Sequence, residues 1–503
     1  MPGSDQLTHT CRRLRPVLLT IGFSEAAVRD RLGPSAAGAV MRGEPGPVLT
    51  AAEGSDPLDT LIQLFVAHAR VDRDDAECAL APVTVDDGIA CGLLEDTDAD
   101  EPEAGVRAAL GIRPLDTGDG VTDWLVSDLD GRMRPRPDDP EQVMGVGHAS
   151  LSLLRATPTD TVGRALDLGT GCGVQAVAVA RRAGTVVATD LSERAVRYAS
   201  ASAALSGVDV ELRRGPWFLP VRGELFDLIV ANPPFVVGAG AVDHIYRDSG
   251  LDLDGASELV VRELPDHLAP GGTAAVLASW VHREGEPWPA RVSSWLPADG
   301  VEAWVLQRDI ADPALYVGTW LRDEGLDPRI GPGRAKSDRW LQRFAEAGVT
   351  GVGFGFVYVR AAPGPSSVVC EELAQPFDDP LGPEATAHFV RMAYLRRLAD
   401  DGADLAGVRL RLAPDVALER VSVPDPEGGW SEAVVRVTRM GGPRWSHEID
   451  DLGARLLAGC SGALPLGELV DLLEAVTDVG PLLEPALALA TDLFRHGFLE
   501  LAE

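Results

Sequence analysis

Apolar and polar positions follow two different periods along this chain, and the change of period divides it. Up to about residue 70 the spacing is helical. In LLTIGFSEAAVRDRLG, the residues Leu18, Leu19, Ile21, Phe23, Ala27, Val28 and Leu32 recur near the helical period, with a break and a cap at Gly22–Ser24. LDTLIQLFVAHARV (58–71) predicts a second amphipathic helix. Residues 78–130 read as short strands between acidic loops, with EDTDADEPE (95–103) a solvated loop. RMRPRPDDPEQ (132–142) is polar and proline-rich, a linker signal. From there to about 361, apolar runs alternate with helical patterns, which predicts βαβ units and a parallel sheet. Strands are expected at 164–168, 184–189, 209–213, 226–231, 273–279, 302–307 and 353–359. AAPGPSS (361–367) is a second linker signal. Beyond it, LLAGCSGALPLGELVDLLEA and LALATDLFRHGFLEL are helices followed by a short apolar strand, the order found in a winged helix.

The expected organisation is therefore α/β in the middle with α+β flanks. A helical, winged-helix-like α+β domain spans 1–140, an α/β domain 141–362, and a winged-helix-like α+β domain 368–503. A length of 503 residues suits about three domains.

Composition changes this picture in three respects. No run of about 18 apolar residues is present, so no membrane span is expected, and MPGSDQLTHTCRRLRP lacks the apolar stretch of a secretory signal. The cysteines at 11, 78, 91, 172, 370 and 460 form no C-x-x-C pair, so neither a metal site nor a disulfide framework is expected, and the compartment is read as cytoplasmic. The net charge of −32 opposes binding to a phosphate backbone.

Chemistry concentrates in the middle third. In ALDLGTGCGVQAVAVA (165–180) an apolar strand reaches Asp167 and runs into Gly169, Thr170, Gly171 and Gly173 before a helix. Glycines at this turn let the backbone approach a ligand closely. A dinucleotide site uses a similar turn, but with G-x-G-x-x-G spacing. Here the spacing is G-x-G-x-G and an acid precedes it, placed to take a cationic amino group. In TVVATDLS (185–192) Asp190 ends the next strand, followed by Leu191. A carboxylate there accepts from ribose hydroxyls; the plainer alternative is an N-cap for the helix starting near Ser192. In LRRGPWFLPV (212–221), Trp217 and Phe218 either cover an adenine ring or pack in the core.

FDLIVANPPF (226–235) points to a reaction type. Pro233 and Pro234 fix their own φ and restrict the residues before them. The carboxamide oxygen of Asn232 and the carbonyl of Pro233 become fixed acceptors for both protons of a planar NH₂ group. That grip turns the nitrogen lone pair out of conjugation, while Phe235 stacks on the flat group. Alignment and preorganised acceptors supply the catalysis, without a strong general base.

DLGTGCG, the acidic strand end at Asp190 and NPPF together resemble the methyltransferase small-domain family of class I S-adenosylmethionine-dependent N-methyltransferases. That family includes release-factor glutamine methyltransferases and guanine-N2 ribosomal RNA methyltransferases. The resemblance covers about 145–360 and implies a seven-stranded Rossmann-like sheet with S-adenosylmethionine as cofactor. It implies that Asp167, Gly169, Thr170, Gly171, Gly173, Asp190, Leu191, Trp217 and Asn232 line the cofactor. It also implies that Asn232, Pro233, Pro234 and Phe235 hold the target nitrogen. Two departures stand out. Pro216 occupies the place where the glutamine methyltransferases carry an acid, and VMGVGHASLSLL (143–154), with Gly145, Gly147 and His148, does not match their lid segment. His148 is a candidate substrate contact, as are Tyr246 and Arg247 in HIYRDSGLDLDGASELV (244–260).

The leading expectation is an enzyme methylating an amide or amino nitrogen of a protein or peptide, of glutamine type. The flanking domains favour a macromolecular substrate, with 1–140 recognising it. The alternative is a nucleic-acid base, guanine N2 or adenine N6, for which Arg181, Arg182, Arg213 and Arg214 offer a basic patch unless they form an ordinary solvated face. A binding protein that senses S-adenosylmethionine, and an enzyme acting on a small natural product, are the remaining alternatives.

Overall fold

The structure is a computed structural model of the whole chain, and it describes residues 2–97, 104–117, 120–135, 139–234, 236–239, 250–377, 379–477 and 479–502. The chain divides into two compact units. One comprises residues 1–154 and 160–370, the other residues 155–159 and 371–503.

The first unit is organised by a sheet of eight strands: β1 (Val162–Leu168), β2 (Ala183–Asp190), β3 (Glu211–Arg214), β4 (Phe226–Ala231), β5 (Leu268–Arg283), β6 (Asp299–Ala311), β7 (Val349–Pro365) and β8 (Ser367–Glu372). Their order is β3-β2-β1-β4-β5-β7-β6-β8. β1 to β5 pair in parallel, and β7 runs antiparallel to both β5 and β6. The seven strands expected from the sequence are all present. The middle strands read as continuous apolar runs because both faces are covered: Leu166, Leu168, Ile229, Ala231, Val276 and Val357 are buried on one core.

β8 is the addition. AAPGPSS, expected to be a linker, is instead the tail of β7 and the start of β8. β5 pairs with β7 only as far as Arg360, whereas β6 continues alongside it to Pro365. The tail therefore has a partner on one side only, the position where proline is tolerated in a sheet.

Residues ahead of the sheet build onto it. The helix Pro2–Ile21 packs on the helix Glu193–Ser206, and Ser24 caps the next helix by accepting from Ala27 N at 3.1 Å, as the Gly22–Ser24 signal predicts. The hairpin Gly111–Asp116/Thr122–Ser127 lies on the same Glu193–Ser206 helix. There the hydroxyls of Ser206 and Ser202 accept from Trp124 N at 3.0 Å and Val126 N at 2.8 Å.

Two sequence expectations fail in this region. The helix predicted over 58–71 ends at Phe65, because buried His68 has a left-handed φ of 53° that no helix continues through, and Arg70–Val71 pairs as a strand. Residues 73–91, read in part as strands, hold the helices Arg73–Leu80 and Val85–Cys91. Asp74 and Asp75 in one, and Asp86 and Asp87 in the other, sit in the first turn, where they complement the helix dipole, and Thr84 forms a capping box with Asp87. The described part of the 132–142 linker is tied down: Met133 is buried and Arg134 donates to Glu95.

The second unit holds the helix Gly382–Asp400, a three-stranded antiparallel sheet led by Val416–Pro424 and Trp430–Arg439, and the helices Asp451–Gly459, Leu466–Val476 and Leu483–Arg495. These last three pack with a second small sheet formed by Arg409–Leu412, Ser461–Pro465 and Leu499–Leu501. Leu410, Leu493, Phe494 and Phe498 are buried in this unit.

Candidate functional site

Strand order reverses between β1 and β4, and ligands of open α/β sheets bind outside the carboxyl ends of the strands at such a point. A cavity of about 410 Å³ lies there. Asp167, Gly169, Thr170, Gly171, Asp190, Leu191, Trp217, Asn232, Pro233 and Pro234 all line it. Gly173 and His148 are not in its wall. Phe235, Tyr246 and Arg247 lie outside the described residues.

Register brings these side chains together. Leu168 pairs with Thr189 on one side and Ala231 on the other, so the Gly-rich loop, Asp190 and Asn232 leave three adjacent strands at one level. Gly169 and Gly171 have left-handed φ of 75° and 54°, and a Cβ on either would meet nothing within 4 Å, so bare backbone faces open space. Gly173 (φ 88°) differs. A Cβ there would come within 3.1 Å of Ala199 Cα, so this glycine serves the packing of one helix on another.

Asp167 is 2% exposed and accepts from Thr170 Oγ1 at 2.6 Å and Ala176 N at 2.9 Å, both on Oδ2. Burial, with a smaller contribution from Asp190, pushes its carboxyl up to about 7 despite those bonds. Such a group gains from a cationic partner, which stabilises the ionised form. The Asp190 carboxylate accepts from Gly171 N at 2.9 Å and Ser192 N at 2.8 Å, and burial raises its pKa as well. It does not cap the following helix; the Ser192 side chain does, accepting from Ala195 N at 3.3 Å. Asp190 is thus left to the cavity.

Trp217 holds a φ of 49°, rare for a bulky residue, directly after Gly215 and Pro216 in the cavity wall. Phe218 is core: it is 2% exposed and stacks on His267 at 4.6 Å. The Asn232 Nδ2 donates to Ser150 Oγ at 3.5 Å, while its buried Oδ1 has no hydrogen-bond partner among the described residues. An unmet acceptor in a native site marks a place for a donor from outside the chain.

Among the lining residues that the sequence did not single out are Ser150, in the 143–154 segment, Gln175, in the helix after the glycine-rich loop, and Trp320, in the helix Pro313–Asp323, far along the chain. That helix and its neighbour Gly331–Glu346 fix the chain just after Asn-Pro-Pro-Phe. Tyr316 Oη accepts from Val237 N, and Trp340 Nε1 donates to Val237 O, each at 2.8 Å.

Three family models match the chain: a domain of unknown function over residues 20–109, the methyltransferase small domain over 144–262, and a second domain of unknown function over 386–501. Residues 144–262 are therefore similar to the methyltransferase small domain. The curated relatives of this small domain include a release factor glutamine methyltransferase of Gloeobacter violaceus, 37% identical over 127 residues, which are 22% of this chain and 44% of the relative. A ribosomal protein uL3 glutamine methyltransferase of Bradyrhizobium diazoefficiens is 31% identical over 166 residues, 30% and 52% of the two chains. The ribosomal RNA small subunit methyltransferase C of Escherichia coli is 34% identical over 137 residues, 27% and 36%. The chain spans about half the length, or less, of these relatives.

The residues present fit S-adenosylmethionine, the cofactor that the resemblance implies. Asp167 offers a buried carboxylate that an ammonium would match, Asp190 a carboxylate that vicinal hydroxyls would match, the loop glycines open backbone, and Trp217 an aromatic side chain in the same wall.

Proposed function

We propose that this protein is an S-adenosylmethionine-dependent N-methyltransferase acting on the planar amide nitrogen of a protein or peptide, of glutamine type. The unmet Oδ1 of Asn232 carries this reading. The cofactor, when bound, supplies an electrophilic methyl group. The protein's part is to hold the nitrogen. Asn232 Oδ1 and the Pro233 carbonyl accept its two protons, Ser150 restrains the Asn232 carboxamide, and Pro233 and Pro234 stiffen the turn. A nitrogen gripped at both N–H bonds presents its lone pair to the donor, and such fixed acceptors cost no reorganisation during the reaction. Trp320, in the wall with the two prolines, gives the flat group an aromatic surface, a role the sequence assigned to Phe235.

The choice of a protein over a nucleic acid rests on charge. Of the arginines considered as a basic patch, Arg181 pairs with buried Asp123, Arg213 with Glu224 and Glu211, and Arg214 with Glu193. Cations committed to acids release few counterions from a phosphate backbone, and the net charge is −32. Residues 1–140 and 368–503 are proposed as the substrate-recognition and C-terminal domains, and the compartment as the cytoplasm; no helix among the described residues is long and apolar enough to cross a membrane.

The test is transfer of labelled methyl from S-adenosylmethionine into an extract of cells lacking this protein. Protease should release the label and nuclease should leave it. Release by nuclease alone overturns the reading in favour of base methylation, and binding of the cofactor without any transfer points to a sensor.

A further inference from the structure

Gln175 stands second in the helix Val174–Ala180, whose other members are valine and alanine. It is 2% exposed and lines the cavity. Its Nε2 donates to the backbone carbonyl of Ser150 at 2.8 Å, which fixes the carboxamide's orientation, and its Oε1 is buried with no hydrogen-bond partner among the described residues. Burying a bare carboxamide oxygen is unfavourable, and a leucine or methionine would fill the same volume without that penalty. The oxygen therefore implies a donor that arrives with a ligand.

Position identifies the donor. The next residue, Ala176, supplies the backbone N–H that holds the Asp167 carboxylate, so Asp167 meets the helix at the residue beside Gln175, and both line the cavity. Asp190 ends the neighbouring strand β2, and Trp217 comes shortly after β3. An ammonium has three N–H donors, and a single carboxylate cannot meet all of them. We propose that Gln175 Oε1 is a second, neutral acceptor for the ammonium group of the cofactor's amino-acid end, shared with Asp167; this rests on the reading of the site as one for S-adenosylmethionine. Gln175 is then a binding residue with no part in choosing the methylated substrate.

The test compares two probes on the full-length protein by calorimetry. S-adenosylhomocysteine carries the ammonium; 5′-methylthioadenosine keeps the nucleoside and thioether but lacks the amino-acid end. Gln175→Leu should weaken S-adenosylhomocysteine roughly ten- to hundredfold, the scale of one hydrogen bond to a charged group, and leave 5′-methylthioadenosine within about twofold. Gln175→Met, more pliable in a packed helix, should give the same split and serves if the leucine variant does not fold. Equal losses on both probes would make Gln175 a packing residue and overturn the proposal, as would an unchanged affinity for S-adenosylhomocysteine. Failure of the unaltered protein to bind S-adenosylhomocysteine would instead overturn the cofactor reading beneath it.

Discussion

Protonation of Asp167 should set how tightly the protein holds its cofactor near neutral pH. Burial pushes this carboxyl up to about 7 in the free protein. An ammonium beside it stabilises the carboxylate and lowers its pKa, so binding expels a proton at pH values between the pKa of the complex and about 7. Affinity should then be nearly flat above about pH 8 and fall close to tenfold per unit below about pH 7, approaching a hundredfold loss by about pH 5 if the bound pKa lies lower still. The direction for stability is the reverse. A carboxyl raised in the folded state lends stability below its unfolded pKa near 4, and that contribution is lost as pH rises through about 7. Burial raises the Asp190 carboxyl as well, so the ribose contact proposed for it should weaken as pH falls. The assay is calorimetry of S-adenosylhomocysteine at about pH 6 in buffers of differing ionisation enthalpy, with 5′-methylthioadenosine as the probe that reports Asp190 alone. The account requires additional proton release with S-adenosylhomocysteine, abolished in Asp167→Asn. Identical pH profiles for the two probes, or a flat profile for S-adenosylhomocysteine, would refute the assignment of Asp167 to the ammonium.

Three further outcomes follow from the geometry. Asn232→Ala should lower the methyl-transfer rate by roughly 100–1000-fold, the scale for one preorganised polar contact, while S-adenosylhomocysteine affinity stays within a few-fold; full activity would remove the two-acceptor mechanism. Trp320→Ala should raise KM for the macromolecular substrate about tenfold and Trp320→Phe should recover most of it, with cofactor affinity unchanged in both; a loss confined to cofactor binding would place the indole against the nucleoside instead. Ser202→Ala with Ser206→Ala strips two buried strand amides of their acceptors and should cost about 1–3 kcal/mol each in urea unfolding; an unchanged midpoint would mean that the Gly111–Ser127 hairpin is not held through these hydroxyls.

The sheet was legible in the sequence because strands covered on both faces read as apolar runs with little else in them, and glycines or prolines mark where they stop. Asp167, the loop glycines, Asp190 and Asn-Pro-Pro were legible for the same reason: each falls at the end of such a run, where a doubly wound sheet places its ligands. Short acidic helices were not. Asp74, Asp75, Asp86 and Asp87 look like loop charge until the helix N-termini they complement are known. β8 was hidden because its link to β7 carries the glycine and prolines of a linker. Gly173 shows the limit of motif transfer, since its neighbours open onto the cavity while it packs against Ala199. Trp320 and Ser150 carry no motif, and only the fold brings them to Asn232 and the prolines.

The central claim is that the accepting atom is an amide nitrogen in a protein. The most direct measurement is the chemical form of the transferred label after acid hydrolysis of the protein fraction from an extract methylated with labelled S-adenosylmethionine. An N-methylated glutamine side chain loses its amide on hydrolysis, so the account predicts that the label leaves as methylamine and that Asn232→Ala yields none. Label retained on a purine base, or on an amino acid that survives hydrolysis with its methyl group attached, would contradict it.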